Sequence, residues 1–213
     1  NSLQAGVATV IVALYVMRRF GGYKGYIGLD QFWGLGKLLF ALSLLWFWFW
    51  FSSFNVMWYG AKPSEKAVLD LLMFGPYLFV FIAVFLLNFI VPLFAMIWNP
   101  VRKSILGPTI VAIGVLIGTL LDRIRLYVAS FSIPGIGDAS VHKHALHDVP
   151  QMVMPGIPDV MMLVGVIAGI VLFSMLAVRL IPPMNIWEQK ELLLYKVHKR
   201  FHRTEVLVLA KPD

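Results

Sequence analysis

The sequence predicts an all-α fold, a polytopic transmembrane helix bundle, from its composition, its long apolar runs and the place of three charges. Of its 213 residues, 60% are hydrophobic and 14% are charged, whereas soluble domains carry about 25% charged residues. Asp122, Arg123 and Arg125 lie near the end of one apolar run. Each charge costs about 2.5–3.5 kcal/mol at the centre of a membrane helix. We therefore expect these charges to face a cavity, a partner or a reacting molecule.

Five apolar runs predict about five membrane spans, at residues 3–17, 33–59, 68–98, 105–131 and 159–181. A span needs about 20 residues, so the first run is interpreted as the end of a truncated helix. Pro76 and Pro92 permit kinks in the third span. The predicted helix bundle covers residues 1–181, with one long connection at 132–158. A basic tail follows at 182–213, where His198 and His202 are four apart and indicate a helix.

The basic residues predict the orientation, because cytoplasmic loops are enriched in lysine and arginine. One side of the predicted topology carries only Lys62, Lys66 and Lys143. The other side carries a larger group: Arg18, Arg19, Lys24, Arg102, Lys103, Lys190, Lys196, Lys199, Arg200, Arg203 and Lys211. The tail is therefore expected in the cytoplasm and the loop 132–158 outside. The net charge of +7 fits anionic lipid better than nucleic acid.

Asp122 and Arg125 are the main candidate site residues. They are three residues apart, so they share a helix face and can pair, while Arg123 points elsewhere. Asp122 lies about 25 Å along its span at 1.5 Å per residue, toward the outer leaflet. One interpretation is a structural ion pair at the membrane rim, with Arg123 reaching the headgroups. The other is a proton-exchanging carboxylate.

Weaker candidates come from the second span. This span carries an aromatic block at 46–51, followed by Trp58 and Tyr59. Such residues are typical of a lipid-facing surface with an interfacial aromatic belt. The alternative interpretation is that the block forms one wall of an aromatic pocket. Asn55 shares a face with Ser52, and Asn88 lies deep in the third span. Such polar residues make hydrogen bonds between helices or line a path for protons.

The histidines and the absence of cysteine limit the redox chemistry. The chain has no cysteine, and none of its five histidines lies in a predicted span, so we expect no haem or Fe–S cluster bound by this chain. The loop 132–158 holds His142, His144 and His147 beside Asp138 and Asp148. Their spacing is compatible with zinc, but a docking surface is the preferred interpretation and no metal site is predicted.

Five segments, taken in order and spacing, resemble the NrfD/PsrC family of integral membrane subunits. They are LGKLL at 35–39, FNVMWYG at 54–60, NFIVPL at 88–93, LDRIRL at 121–126 and IPPMNIWE at 181–188. Within the family the chain looks most like the quinol-interacting subunits (ActC/ActF type) of bacterial alternative complex III. By this resemblance Asp122 and Arg123 match the family's acidic and basic pair.

The resemblance implies the C-terminal half of a larger two-bundle subunit in the bacterial inner membrane. Such a subunit holds no haem and exchanges electrons between menaquinone or ubiquinone and Fe–S or cytochrome c partners on the outer side. A second NrfD-like membrane subunit and lipid are further expected partners. Asp122, Arg123 and Arg125 would then serve a proton relay near quinol, and Asn55, Trp58 and Tyr59 a quinone or proton path.

Two other function classes remain open from the sequence. The chain is compatible with half of a small-solute or ion transporter that uses Asp122 and Arg125 as a coupling pair. It is also compatible with a membrane anchor without chemistry of its own. A transporter is expected to place its charges near the membrane midplane.

Overall fold

The computed structural model of the protein describes residues 1–131, 151, 153, 155–180, 196–201 and 204–209. The chain divides into two compact units, Asn1–Val153 and Met154–Asp213. The helices of the first unit are α1 (Ser2–Phe20), α2 (Leu29–Gly60), α3 (Pro63–Leu69), α4 (Leu78–Phe85), α5 (Val91–Ile97), α6 (Asn99–Arg102) and α7 (Leu106–Phe131), with a 3₁₀ turn at Tyr23–Gly25. The second unit contains α8 (Ile157–Leu180) and the strands β1 (Lys196–Phe201) and β2 (Thr204–Leu209).

Four helical segments in the described residues are long and apolar enough to cross a membrane. They are Ser2–Phe20, Leu29–Gly60, Leu78–Ile97 and Ile157–Leu180. The helical character of the predicted spans is therefore confirmed, and these segments indicate a membrane protein. The first helix has 19 residues, more than the predicted 3–17. The predicted span 105–131 is the 26-residue helix α7, which is not among these four.

The third predicted span, 68–98, is wrong as one continuous helix. A π-helical turn at Asp70–Phe74 follows α3, and the chain leaves the helical conformation at Gly75 (φ −99°, ψ −140°). Pro76 causes the break, because its ring disfavours a helical residue before it and it has no N–H to donate. The membrane-length part begins at Leu78. A second π-helical turn, Leu86–Ile90, joins α4 to α5.

Local sequence signals set the ends of the long helices. The Gln31 side chain accepts a 2.8 Å hydrogen bond from the Gly28 N–H at the start of α2. Ala61 ends α2 in the left-handed conformation with φ 48°. At the start of α7 the Ser104 hydroxyl accepts a 2.9 Å hydrogen bond from the Gly107 N–H. These side chains satisfy backbone N–H groups that a helix start leaves without partners.

Stacked aromatic rings join α2 to the segment from α4 to α5. The Phe47 and Phe89 ring centroids are 4.2 Å apart, and Trp50 lies 5.6 Å from Phe81 and 5.3 Å from Phe85. As the α2 residue number rises, its partner number falls, so the two segments are antiparallel. Trp46, Phe47 and Trp50 of the predicted aromatic block therefore pack between helices. The other three residues of the block, Trp48, Phe49 and Phe51, are exposed.

Helix α7 packs against α1 and against the segment from α4 to α5. Glycine at position 118 permits this approach, because a Cβ there would lie 2.5 Å from Asn88 Oδ1 and 2.8 Å from Leu87 Cβ. Near the start of α7, a Cβ on Gly36 of α2 would lie 3.5 Å from Pro108 Cγ, which is an ordinary van der Waals contact. Of these two glycines, Gly118 is the one at a tight contact, where α7 faces the second π-helical turn, Leu86–Ile90.

The predicted tail helix is wrong for the described tail residues. β1 and β2 form an antiparallel pair in which Val197 is opposite Val208 and His198 is opposite Leu207. The residues of β2 include Val206 and Val208, and β-branched residues favour strands. The His198–His202 spacing of four was therefore a weaker signal than the composition of β2. The predicted loop 132–158 lies mostly outside the described residues, as does the segment 182–195.

We predict that Gly118→Ala destabilises the first unit. A methyl group there overlaps Asn88 Oδ1 and Leu87 Cβ, and overpacking of this kind costs about 1–3 kcal/mol. The measurement is thermal unfolding of the purified protein in detergent. Gly34→Ala in α2 is the control, because a Cβ there meets nothing within 4 Å and alanine favours a helix. Equal stability of the two variants would contradict the prediction.

Candidate functional site

A buried ion pair on α7 is the centre of the candidate site. Arg125 Nη2 donates to Asp122 Oδ1 at 2.8 Å, and both side chains are only 5% exposed. The pairing predicted from their spacing is therefore confirmed. Arg123, which directly follows Asp122, is exposed, because neighbouring residues on a helix point about 100° apart. The structure thus brings Asp122 and Arg125 together and turns Arg123 away.

Arg125 makes a second hydrogen bond, to the broken helix beside it. Its Nη1 donates to the Leu72 carbonyl at 3.1 Å. In an α-helix that carbonyl would accept from the N–H four residues later, but this residue is Pro76, which has none. A buried carbonyl without a donor costs about 1–3 kcal/mol. Arg125 therefore supplies the donor that proline removes.

Two further contacts hold the pair in place. The Arg125 guanidinium carbon lies 5.1 Å from the centroid of the Phe81 ring, a cation–π contact worth up to about 2 kcal/mol when desolvated. On the other side, the Asn1 side-chain amide donates to Asp122 Oδ2. Both carboxylate oxygens of Asp122 thus accept a hydrogen bond.

One of the three guanidinium nitrogens of Arg125 makes no hydrogen bond to the described residues. Its Nε is buried and has no hydrogen-bond partner among the described residues. Buried polar groups are nearly always hydrogen-bonded. Because this nitrogen is buried, it would have to be uncovered before it could donate to the oxygen of a bound molecule.

The pair borders a cleft of about 320 Å³, at the lower end of the range of small-molecule sites. Beside Asp122, Arg123 and Arg125, its wall contains the aromatic residues Trp46, Phe49, Trp50 and Phe54. Leu72 and Met73 of the first π-helical turn also contribute. The cleft is therefore mainly apolar, with one acidic and basic pair at its edge. An arrangement of this kind suits a flat apolar ring that carries polar oxygens.

The three weaker candidate residues, Asn55, Trp58 and Tyr59, lie away from the ion pair of Asp122 and Arg125. Trp58 borders a neighbouring cleft of about 540 Å³ beside Lys66, Asp70 and Phe74. Tyr59 is 85% exposed. Asn55 is half-buried and borders neither cleft. The structure therefore does not bring these three residues to the ion pair.

Sequence reasoning missed a buried polar cluster between α1, α2 and the second π-helical turn. Gln4 Nε2 donates to Ser43 Oγ and to the Asn88 carbonyl, each at 2.9 Å. Ser43 in turn donates to the Leu39 carbonyl at 3.0 Å. The residue four after Asn88 is Pro92, so this carbonyl also lacks its α-helical donor. The spacing Asn88-x-x-x-Pro92 was the available signal, and Gln4 was not singled out.

The described residues contain no group of three or more His, Cys, Asp or Glu side chains that could hold a metal ion. The histidines and aspartates considered for zinc in the loop 132–158 lie outside the described residues. What the described site offers is a carboxylate, a guanidinium and an aromatic cleft. These groups can bind a polar ring and can accept or donate a proton.

No protein-family model matches the chain, and no curated protein is similar to it in sequence. The function is therefore inferred from the geometry of the site and from the sequence itself.

We predict that Arg125→Met destabilises the protein by about 3–5 kcal/mol, because it leaves a buried carboxylate without its partner. It also leaves the Leu72 carbonyl without the donor described above. Thermal or denaturant unfolding in detergent measures the change. Adding Asp122→Asn to Arg125→Met should recover part of the loss, since it removes the unpaired charge.

The matched control is Arg123→Met, two residues from Arg125 and exposed. Its effect should stay within about 0.5 kcal/mol. If Arg123→Met were as destabilising as Arg125→Met, burial of the pair would not be the reason for the loss.

Proposed function

We propose that the chain is a membrane subunit of a quinol-oxidising electron-transfer complex, similar to the NrfD/PsrC subunits of alternative complex III. In this proposal it contributes to the quinol site or to the proton path. The observation that carries the proposal is the buried Asp122–Arg125 pair at the edge of an aromatic cleft. The segments at 35–39, 54–60, 88–93, 121–126 and 181–188 support the family assignment.

The chemistry of quinol oxidation fits these groups. Oxidation of a quinol to a quinone releases two electrons and two protons. Aromatic rings such as Trp50 and Phe54 suit the quinone ring, and the Arg125 guanidinium at the edge of the cleft suits a quinone oxygen. The Asp122 carboxylate accepts one of the protons, and the other leaves to water at the periplasmic face. The electrons leave to Fe–S or haem centres in other subunits, because this chain has no cysteine.

The depth of the pair favours this function over a transporter. Arg125 contacts Leu72, which precedes the span Leu78–Ile97, and Phe81, which lies one turn into it. The pair is therefore level with one end of that span. Transporter sites lie near the midplane. The interrupted third span is the observation that favours a transporter, since such proteins use discontinuous helices.

In this proposal α7 crosses the membrane as a fifth span of a helix bundle, because it packs against the apolar segments α1 and α4. The membrane is the bacterial inner membrane, with menaquinone or ubiquinone as substrate. By the distribution of lysine and arginine the tail 182–213 is cytoplasmic and the loop 132–158 periplasmic. Asp122 then lies toward the periplasmic face, where the Fe–S and cytochrome c subunits assemble. A second NrfD-like subunit is the expected partner within the membrane.

We predict that Asp122→Asn in the assembled complex lowers quinol:acceptor turnover at least several-fold, since asparagine accepts no proton at neutral pH. The amide keeps the size of the carboxylate and one oxygen that can still accept from Arg125, so the loss of stability should be smaller than in Arg125→Met. The subunit should then still copurify with its metal-bearing partners. Steady-state turnover with a soluble quinol analogue and the amount of assembled complex are measured together.

Asp30→Asn is the matched control, because Asp30 is an exposed aspartate in the first turn of α2. It should leave turnover unchanged. Wild-type turnover in Asp122→Asn would reduce Asp122 to a structural role. Transport of a solute by the chain without redox partners would favour the transporter.

A further inference from the structure

The cluster of Gln4, Ser43 and Asn88 contains more buried polar atoms than it can pair. The three residues are 2%, 1% and 0% exposed. Gln4 Oε1, Asn88 Oδ1 and Asn88 Nδ2 have no hydrogen-bond partner among the described protein atoms. Each such atom costs about 1–3 kcal/mol when it is left without a partner in an apolar interior. Gln4 and Asn88 are joined by the hydrogen bond from Gln4 Nε2 to the Asn88 carbonyl, so three such atoms on these two residues indicate a ligand.

The orientation of the Gln4 amide is determined by its partners. Ser43 Oγ already donates its proton to the Leu39 carbonyl, and the Asn88 carbonyl can only accept. Both therefore need a donor, so the nitrogen of Gln4 faces them and its oxygen faces away. Gln4 Oε1 is thus an acceptor that needs a donor, whereas Asn88 Nδ2 is a donor that needs an acceptor.

We propose that this cluster is a binding site for internal water, with a water molecule that donates to Gln4 Oε1 and accepts from Asn88 Nδ2. A single water molecule supplies both functions, and buried waters typically make about three hydrogen bonds. Asn88 Oδ1 provides the third partner. The site is separate from the proposed quinol function and does not depend on it.

A cation fits the cluster less well than water. Two of the oxygens nearest to Gln4, Ser43 Oγ and the Asn88 carbonyl, already accept from its amide. The Asn88 amide N–H groups would also repel a positive ion. Hard cations need six or more oxygens, and the unpaired acceptors here are Gln4 Oε1 and Asn88 Oδ1.

The water site lies about one helical turn from the ion pair. Gln4 is three residues after Asn1 on α1, and Gly118, which Asn88 Oδ1 approaches, is four residues before Asp122 on α7. Residues at these spacings share a helix face. Water at the cluster therefore continues the polar interior of the first unit inward from Asp122.

The sign of a stability change tests the proposal. Asn88→Leu removes two of the unpaired atoms. If the cluster is dry, this substitution relieves a cost and raises the melting temperature. If water is bound, leucine displaces it and leaves Gln4 Oε1 without a donor, which should lower the melting temperature of the full chain in detergent by about 5 °C. A rise, or no change, would overturn the proposal.

The double variant Gln4→Met with Asn88→Leu separates loss of water from poor packing of leucine. It removes the remaining unpaired oxygen, so it should recover part of the loss seen in Asn88→Leu. No recovery would mean that leucine simply fits badly. In that case a density map of the unsubstituted protein at about 2 Å resolution decides whether water is bound. Bound water gives a peak within hydrogen-bond distance of Gln4 Oε1 and Asn88 Nδ2. The absence of a peak there would overturn the proposal.

Melting temperatures in sodium, potassium and choline chloride test the cation directly. Water at the cluster predicts the same melting temperature in all three salts. A sodium- or potassium-specific increase that Asn88→Leu abolishes would overturn the proposal in favour of a cation site.

Discussion

The arrangement of the first unit depends on two backbone carbonyls that lose their helical donors to proline. Pro76 leaves the Leu72 carbonyl without an N–H, and Pro92 does the same to Asn88. In an apolar environment such groups must be satisfied by other parts of the protein. Arg125 donates to the first carbonyl and Gln4 to the second. Both donors come from neighbouring helices, so α7 and α1 are tied to the broken third segment.

The two donors differ in charge, and this difference supports a functional role for the ion pair. A neutral amide, that of Gln4, is sufficient to satisfy a carbonyl in this interior. A buried guanidinium with its carboxylate costs several kcal/mol of desolvation per ion, more than the orphaned carbonyl of about 1–3 kcal/mol that it satisfies. Structure alone therefore does not require Asp122 and Arg125. The pair lies beside an aromatic cleft, and in our proposal its carboxylate accepts a proton from quinol there.

Much of the fold and part of the site could be predicted from the sequence because they follow from local spacing. The three-residue separation of Asp122 and Arg125 was enough to predict their pairing. Pro76 was interpreted only as a kink in the third span, whereas it breaks the helix. Gln4 was missed because its partners are distant in sequence, 39 and 84 residues away. Trp58 and Tyr59 lie away from the pair, since the direction of a side chain on α2 depends on how the helices pack. The strands of the tail were missed because the histidine spacing was weighed above the β-branched residues of β2.

We propose that the Asp122 carboxylate takes up a proton when quinol is oxidised. Infrared difference spectroscopy of the assembled complex, recorded between its quinol-reduced and oxidised states, measures this step directly. Proton uptake should give a change in the protonated-carboxyl region that shifts with ¹³C-labelled aspartate and disappears in Asp122→Asn. If that variant gave an identical difference spectrum, Asp122 would keep its charge throughout the reaction and would not be the proton acceptor.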